Sequence, residues 1–507
     1  MNVNQLKAGA LLNYVIIGLN TLVGLLYTPY MLRCLGQNEY GLYSLVASII
    51  AYLTLLDFGF GNAIIRYTAK YRAEGKSSDQ WHMFGMFLIV YCIIGFLALV
   101  GGMVLYNNTD ALFDRTMSLS ELSQAKVMML LLTLNLAVTF PLSIFGSIIS
   151  AYENFVFQRI VSILRIILST GIMVMILGFG YKAIALVVVQ TVFNVLTLLI
   201  NAIYCKTKLG VKIRFGKIDV KFFKEISVYS FWIFLNAIMD KLYWGTGQFV
   251  LGAISGTAAV AVFSVAILLQ QMYMTFSSSI SSVLLPKVTS MVTIRSSDKS
   301  ISDLFIRTGR LQFLIMGFVL AGFVVFGKGF ILLWAGDGYF ESYIITVIFF
   351  VSLLTPLIQN TGIVILQARN QMKFRSLLYL IISLVSLVAQ IYLSKKYGAI
   401  GCALSIGCAL VLGQGIVMNI YYKKNQHIDI PLFWREIIKI GVITGLLMMV
   451  GILSWSVIDY TTIYSLIGGI AVFTTIYLSL IWRFGMNDYE KQLLCFPMRR
   501  LAAKFRR

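Results

Sequence analysis

The sequence predicts an all-α polytopic membrane protein of about 14 transmembrane helices, and three observations carry that prediction. Of 507 residues, 59% are apolar and 12% are charged, whereas an ordinary soluble domain carries about 25% charged residues. The mean hydropathy is +0.86. The apolar residues fall in runs of about 20, the length a helix needs to cross a ~30 Å hydrocarbon layer. A soluble multidomain enzyme is excluded on these grounds. Fourteen helices of about 21 residues leave about 14 residues for each loop or tail, too few for an extramembrane domain.

The spans are predicted near 8–32, 41–63, 81–105, 127–149, 160–178, 183–204, 226–251, 257–285, 311–334, 342–365, 374–393, 399–420, 437–457 and 463–482. The first is too long for a cleaved signal, follows the lone cation Lys7 and precedes no small-residue cleavage site. It is therefore read as a true span. Span two carries Asp57 with Gly59 and Gly61 close behind, so its helix is expected to loosen there. Spans four and ten each contain a proline, Pro141 and Pro356. Span nine contains Gly322-x-x-x-x-Gly327-Lys328, which superficially resembles a phosphate loop. Gly329 replaces the magnesium-holding Ser or Thr, and no strand precedes it. Gly401, Ser405, Ala409 and Gly413 form a small-residue seam on span 12, and Gly441 and Gly445 form a G-x-x-x-G face on span 13. Both are read as close-packing surfaces.

An internal repeat organises these spans. Gly146, Asn154 and Arg159 match Gly362, Asn370 and Arg375 at a constant offset, each set after a proline-containing span. A looser echo joins Leu35-Gly36…Tyr43-Ser44 to Leu251-Gly252…Phe263-Ser264 across a gap. The repeat divides the chain into a six-helix bundle at 1–210, a second at 211–425 and two further helices with a basic tail at 426–507. Parallel repeats of this kind are related by an axis along the membrane normal and commonly hold substrate between them.

The formal net charge of +21 suggests nucleic acid only until its distribution is read. With the N-terminus inside, cytoplasmic segments and the adjoining turns of the spans collect 33 of the 41 Lys and Arg residues. That asymmetry places both termini in the cytoplasm and explains the high pI through attraction to anionic membrane lipids, without nucleic acid. The six cysteines are scattered and the two histidines cannot build a cage, so no metal site is expected.

Ionisable groups within spans are the informative residues, because an unpaired charge in hydrocarbon is costly. Asp57 precedes Arg66 by nine residues, about 13 Å of helix, which puts it below the headgroups. Asp240 and Lys241 lie near the middle of span seven. Tyr229, Trp232, Asn236, Asp240 and Tyr243 are spaced along one face, with Lys241, Trp244 and Gln248 beside it. Such a wedge, with Asn13, Asn20 and Tyr27 on span one and Ser264 and Gln271 on span eight, is expected to line a hydrated cavity. Most cations near span ends, Arg310 among them, are read as snorkelling to the interface. Arg165, well inside span five, and Lys241 are not so explained. Cations facing a cavity suit phosphate or pyrophosphate. Asp57 and Asp240, the two acids placed within spans, suit coupling to H+ or Na+, since burial disfavours a carboxyl's charged form.

The segment Arg33-x-Leu35-Gly36-x-x-x-Tyr40-Gly41-Leu42-Tyr43, then Asp57-Phe58-Gly59, Arg66 and the central Asp240, resembles the polysaccharide-export flippases of the multidrug/oligosaccharidyl-lipid/polysaccharide superfamily, above all the O-antigen type. Ala261-Val262-Phe263 departs from that pattern, where a Gly-x-Tyr-like turn is usual. The resemblance implies two six-helix bundles in a V related by pseudo-two-fold symmetry, with alternating access to a central cationic cavity. It implies transport of undecaprenyl-pyrophosphate-linked oligosaccharide across the bacterial inner membrane, with no catalytic residues and no cofactor beyond a coupling ion. A polysaccharide polymerase and a chain-length regulator are the protein partners it suggests. Arg33, Arg66, Arg165, Asn236, Lys241 and Gln271 are the candidate cavity residues, and Asp57 and Asp240 the candidate coupling residues. A multidrug/cation antiporter would favour an acidic or aromatic cavity. A polymerase or ligase would need a substantial outer loop, and the longest, near 106–126, has no catalytic pairing. A peptidoglycan-precursor flippase remains the nearest alternative.

Overall fold

The computed structural model describes residues 5–216, 220–282, 284–294 and 296–493, and every regular element among them is helical. The spans are α1 Gln5–Leu35, α2 Gln37–Ala73, α3 Ser77–Asn107, α4 Leu119–Ala151, α5 Phe155–Gly178, α6 Ala183–Thr207, α7 Val220–Trp244, α8 Thr257–Ser282, α9 Asp298–Trp334 and α10 Asp337–Ala368. Lys373–Asn425 follows, then α13 Ile430–Ser454 and α14 Ile463–Gly485. Twelve stretches among the described residues are long and apolar enough to cross a membrane.

Two facts reconcile twelve with fourteen. Lys373–Asn425 is 53 residues long, and its backbone leaves helical geometry at Gly398 (φ 57°, ψ −136°). Cys402 Sγ reaches Gln390 Oε1 at 3.5 Å, although a straight helix would hold those residues about 18 Å apart. The stretch is therefore a hairpin of two spans, 373–397 (α11) and 399–425 (α12). The remaining span is α7, which carries Asp240 and Lys241 and continues beyond Gly245 as Thr246–Ile254.

Local chemistry fixes the ends. Ser118 and Glu121 cap α4 reciprocally, each side chain accepting the other's backbone N–H. Asp429, followed by Pro431, caps α13 through the Leu432 amide. α2 is the exception inside a span: Thr54–Asp57 tightens to a 3-10 turn, then Phe58 (φ 50°) and Gly59 (φ 74°) are left-handed before the helix resumes at Phe60. The glycine was legible; a bulky phenylalanine at positive φ is an outlier that the surroundings must hold in place.

The chain forms two compact units, Met1–Ser264 and Val265–Arg507. In the first, α4 packs against both α3 and α6, and α1 against α5. Small residues bring α3 and α4 together. A Cβ on Gly102 would stand 2.2 Å from Thr133, and one on Gly95 2.6 Å from the Ala137 carbonyl. In the second, α9 packs against α10, α13 and α14, around Phe305, Phe433, Phe326 and Tyr477.

The repeat is visible in the turns, with a correction to its register. Gly36 (φ 76°) opens α2 and Gly256 (φ 84°) opens α8. Aligning those two glycines brings Tyr43 onto Phe263 and Ser44 onto Ser264 without a gap, so Gly256 and not Gly252 is the partner of Gly36. After α4 and α10 the chain turns through left-handed Glu153 and Asn370, so Glu153 and not Asn154 is the structural partner of Asn370, and the Gly146, Asn154 and Arg159 matches stand one residue out of register. The Asn154 amide returns to the Ile149 carbonyl at 3.2 Å and that of Gln371 to Leu366 at 2.8 Å, the same helix-ending motif in both.

Two packing expectations change. The seam on α12 is close-packed, with Gly413 against Ile382. On α13 a Cβ at Gly445 would meet nothing within 4 Å, so the G-x-x-x-G face is not a helix contact at that end. Arg310 does not snorkel. It is 4% exposed and forms a two-pronged pair with Glu490 at 2.7 and 3.0 Å. It also donates to Glu436 at 3.0 Å and to the Gly485 carbonyl at 2.9 Å. Glu436 and Glu490 satisfy the charge inside the protein, which removes the reason for it to reach water.

A candidate site at an intramembrane carboxylate

Asp57 ends the 3-10 turn of the broken α2 and is half-buried. Tyr91 of α3 donates its hydroxyl to Asp57 Oδ1 at 2.8 Å. The Gly59 amide, two residues on, faces the same carboxyl, an Asx-type turn that the left-handed break makes possible. Tyr91 is 1% exposed, stacks on Phe140 of α4 with ring centroids 6.5 Å apart and meets Phe60 edge-on. The carboxyl is thus positioned by its own helix break and by a tyrosine locked from both sides. A carboxyl has about four lone-pair sites. Among the described residues Tyr91 is the hydrogen-bond donor to this carboxyl, which leaves lone-pair sites that can take a proton or a monovalent cation.

The other predicted residues are placed less uniformly. Lys241 is half-buried on α7, and its carbonyl accepts from the Tyr52 hydroxyl at 3.3 Å. That contact holds the cationic turn of α7 against the turn of α2 just before the break. Asp240 is exposed whereas Tyr243 is fully buried, and Gln248 donates to Ser264 at 2.7 Å. The span-seven residues therefore do not share one wet face. Tyr243 is enclosed by packing and Gln248 is engaged by Ser264, so neither faces open water. The side chains of Tyr229, Trp232 and Asn236 lie outside the described residues. Arg165 is half-buried on α5, with no hydrogen-bond or ion-pair partner among the described residues. Arg33 is exposed in the last turn of α1. Arg66 is exposed on α2, its guanidinium 5.8 Å from the Tyr67 ring. Gln271, on α8 in the second unit, is exposed and accepts at its carbonyl from Thr275. Lys328, of the sequence resembling a phosphate loop, sits within the continuous helix α9.

Two features escaped the sequence. Tyr91 is a lone hydroxyl in an apolar run, and nothing in its spacing names Asp57 as partner. Tyr67 donates to Glu225 at 2.9 Å, tying α2 to the start of α7 between residues with no sequence pattern in common.

A family model described as polysaccharide biosynthesis protein matches residues 6–292. A candidate O-antigen transporter of Shigella flexneri is 22% identical over 398 residues, covering 76% of this chain and 90% of that protein. One of Salmonella typhimurium is 31% identical over 70 residues, which is 14% of this chain and 16% of that protein. Among solved structures, the lipid II flippase MurJ in an inward closed conformation aligns with a TM-score of 0.71 and 17% identity, covering 94% of this chain and 98% of MurJ. An inward-facing multidrug resistance MATE transporter of the MOP superfamily aligns with a TM-score of 0.58 and 13% identity, covering 80% of this chain and 99% of that one. At these identities the structural likeness establishes the fold.

Proposed function

The chain belongs to the polysaccharide biosynthesis protein family and has the fold of MOP-superfamily transporters, and from that premise we propose that it is an inner-membrane flippase for polyprenyl-pyrophosphate-linked oligosaccharide, such as an O-antigen repeat unit. Under this reading the cargo moves from the cytoplasmic to the periplasmic leaflet by alternating access, both termini lie in the cytoplasm, and a proton or sodium gradient drives the cycle. The observation that carries the reading is Asp57, held at a helix break inside a span by Tyr91. An ionisable residue at membrane depth is by default part of a transport pathway. Arg33, Arg66, Arg165 and Lys241 would supply positive charge along the cargo's path, and charge-assisted hydrogen bonds are the strong ones for phosphate. Asp240, exposed and next to Lys241, would be the weaker coupling group. Polymerase and chain-length regulator are the proposed protein partners, receiving the cargo after it crosses.

Deleting the gene in its host tests this directly. Lipid-linked oligosaccharide should accumulate facing the cytoplasm while surface polysaccharide falls. Normal surface polysaccharide in the deletion would overturn the assignment. The TM-score of 0.71 to a lipid II flippase favours one second reading, a peptidoglycan-precursor cargo. In that case the deletion would impair wall synthesis and leave surface polysaccharide intact. A multidrug/cation antiporter predicts neither defect.

A further inference from the structure

The first unit contains an apolar hollow of about 540 Å³, walled by Phe58 and Phe60 of α2, Ile93 of α3, and Phe223, Phe231 and Phe234 of α7. A second hollow of about 400 Å³, along α3 and past Phe215, shares Ile93 with it. The two make an elongated groove. Of its two hydroxyls, Ser227 is satisfied by the Phe223 carbonyl at 2.8 Å, whereas the buried Ser230 hydroxyl has no hydrogen-bond partner among the described residues. Ile93 and Phe231, 54% and 51% exposed, leave the side of the groove open to the bilayer.

One end is chemically different. Continuing along α2 from Phe60, Arg66 follows after six residues, about 9 Å of helix. Its guanidinium lies 5.8 Å from the Tyr67 ring centroid, and Lys70 Nζ lies 6.0 Å from the same ring. Lys224 directly follows Phe223 on α7. The acid at this end, Glu225, accepts from Tyr67. Among the described residues, Arg66 and Lys70 therefore flank Tyr67 beyond Phe60, with Glu225 engaged by the Tyr67 hydroxyl and Lys224 in the same turn of α7. An amphiphile that fits has a long apolar chain and a compact anionic head.

We propose that this groove binds the isoprenoid chain of a polyprenyl phosphate or pyrophosphate carrier, with its phosphate held by Arg66, Lys70 and Lys224. This assignment rests on the flippase reading above and deepens it. The aromatic walls suit the flat, unsaturated isoprene units. The break that turns Phe58 into the groove, 4.7 Å from Phe234, is the same break that presents Asp57 to Tyr91. A chain in the groove would therefore rest on the backbone that positions the carboxyl.

Photolabelling of the full-length protein in zwitterionic nanodiscs tests the proposal. The probes are a polyprenyl phosphate bearing a diazirine in its chain and a phosphatidylglycerol bearing one in an acyl chain. The polyprenyl probe should label the neighbourhood of Ile93 and Phe231. Unlabelled polyprenyl phosphate should compete about 10-fold better than phosphatidylglycerol, the factor expected if the site gains one charged hydrogen bond that the bulk lipid lacks. Ser227→Trp, which fills the groove, should abolish this labelling, and Arg66→Ala with Lys70→Ala should erase the competition advantage. Equal competition by phosphatidylglycerol in the wild type would overturn the proposal, since the groove would then hold ordinary bilayer lipid; so would polyprenyl labelling confined to other helices. Glycan translocation without groove labelling would defeat this proposal and leave the flippase reading standing. Groove labelling without translocation would do the reverse.

Discussion

Asp57 and Tyr91 form a pair in which the tyrosine is fixed by packing and the acid by a turn. Tyr91→Phe keeps the ring but strands the Asp57 acceptor, so it should cost about 1–3 kcal/mol of stability while impairing transport more than that loss explains. Thermal unfolding and transport measured on the same preparation check this. Arg310 belongs to a different class, since its removal strands Glu490 in a buried site. Arg310→Ala should destabilise the protein by about 3–5 kcal/mol, visible as low recovery in detergent, whereas Arg66→Ala should not. Lys241→Glu should reduce glycan export more than Lys241→Ala at matched expression, and the same order is expected for Arg165. Equal export by both Glu variants and the wild type would remove these residues from the cargo path. Asp57 was legible because a carboxylate with two glycines just after it is conspicuous in an apolar run. Tyr91 and the Arg310–Glu490 pair were not, because a sequence shows which groups need a partner but not which distant helix supplies it.

At the scale of the element, α2 and the α3–α4 contact are the sensitive places. Gly59 is left-handed at φ 74°, a conformation that costs a side-chain-bearing residue about 1–2 kcal/mol. Gly59→Ala should straighten or weaken the break and lower transport with little loss of protein. Gly102→Ala would place a methyl against Thr133, and overpacking of this kind typically costs about 1–3 kcal/mol. Gly445→Ala meets open space and should leave the melting temperature unchanged. A fall for Gly445 but not Gly102 in detergent melts would invert this account of packing. Span positions were legible because bilayer thickness imposes one length on every helix. The hairpin at Gly398 was legible from the length of its two apolar runs, whereas which glycines meet a neighbour depends on helix rotation, which composition does not set.

For the whole molecule, the cation distribution predicts that the loop at 205–225 lies inside and the loop at 106–126 outside. Reporter fusions at Lys212 and Asp114 should report opposite compartments, and the same compartment at both would contradict the topology. The all-helical membrane class and the family were readable from apolar run length and a few ordered motifs. The cargo was not, because the candidate cavity residues are single side chains on separate spans with no shared motif. The most direct test is translocation of a polyprenyl-pyrophosphate-linked oligosaccharide in proteoliposomes, with and without an imposed proton or sodium gradient. The wild type should move the lipid faster when one of the gradients is applied, and Asp57→Asn should bind the lipid yet fail to respond. No wild-type translocation under either gradient, or a wild-type response from Asp57→Asn, would contradict the account.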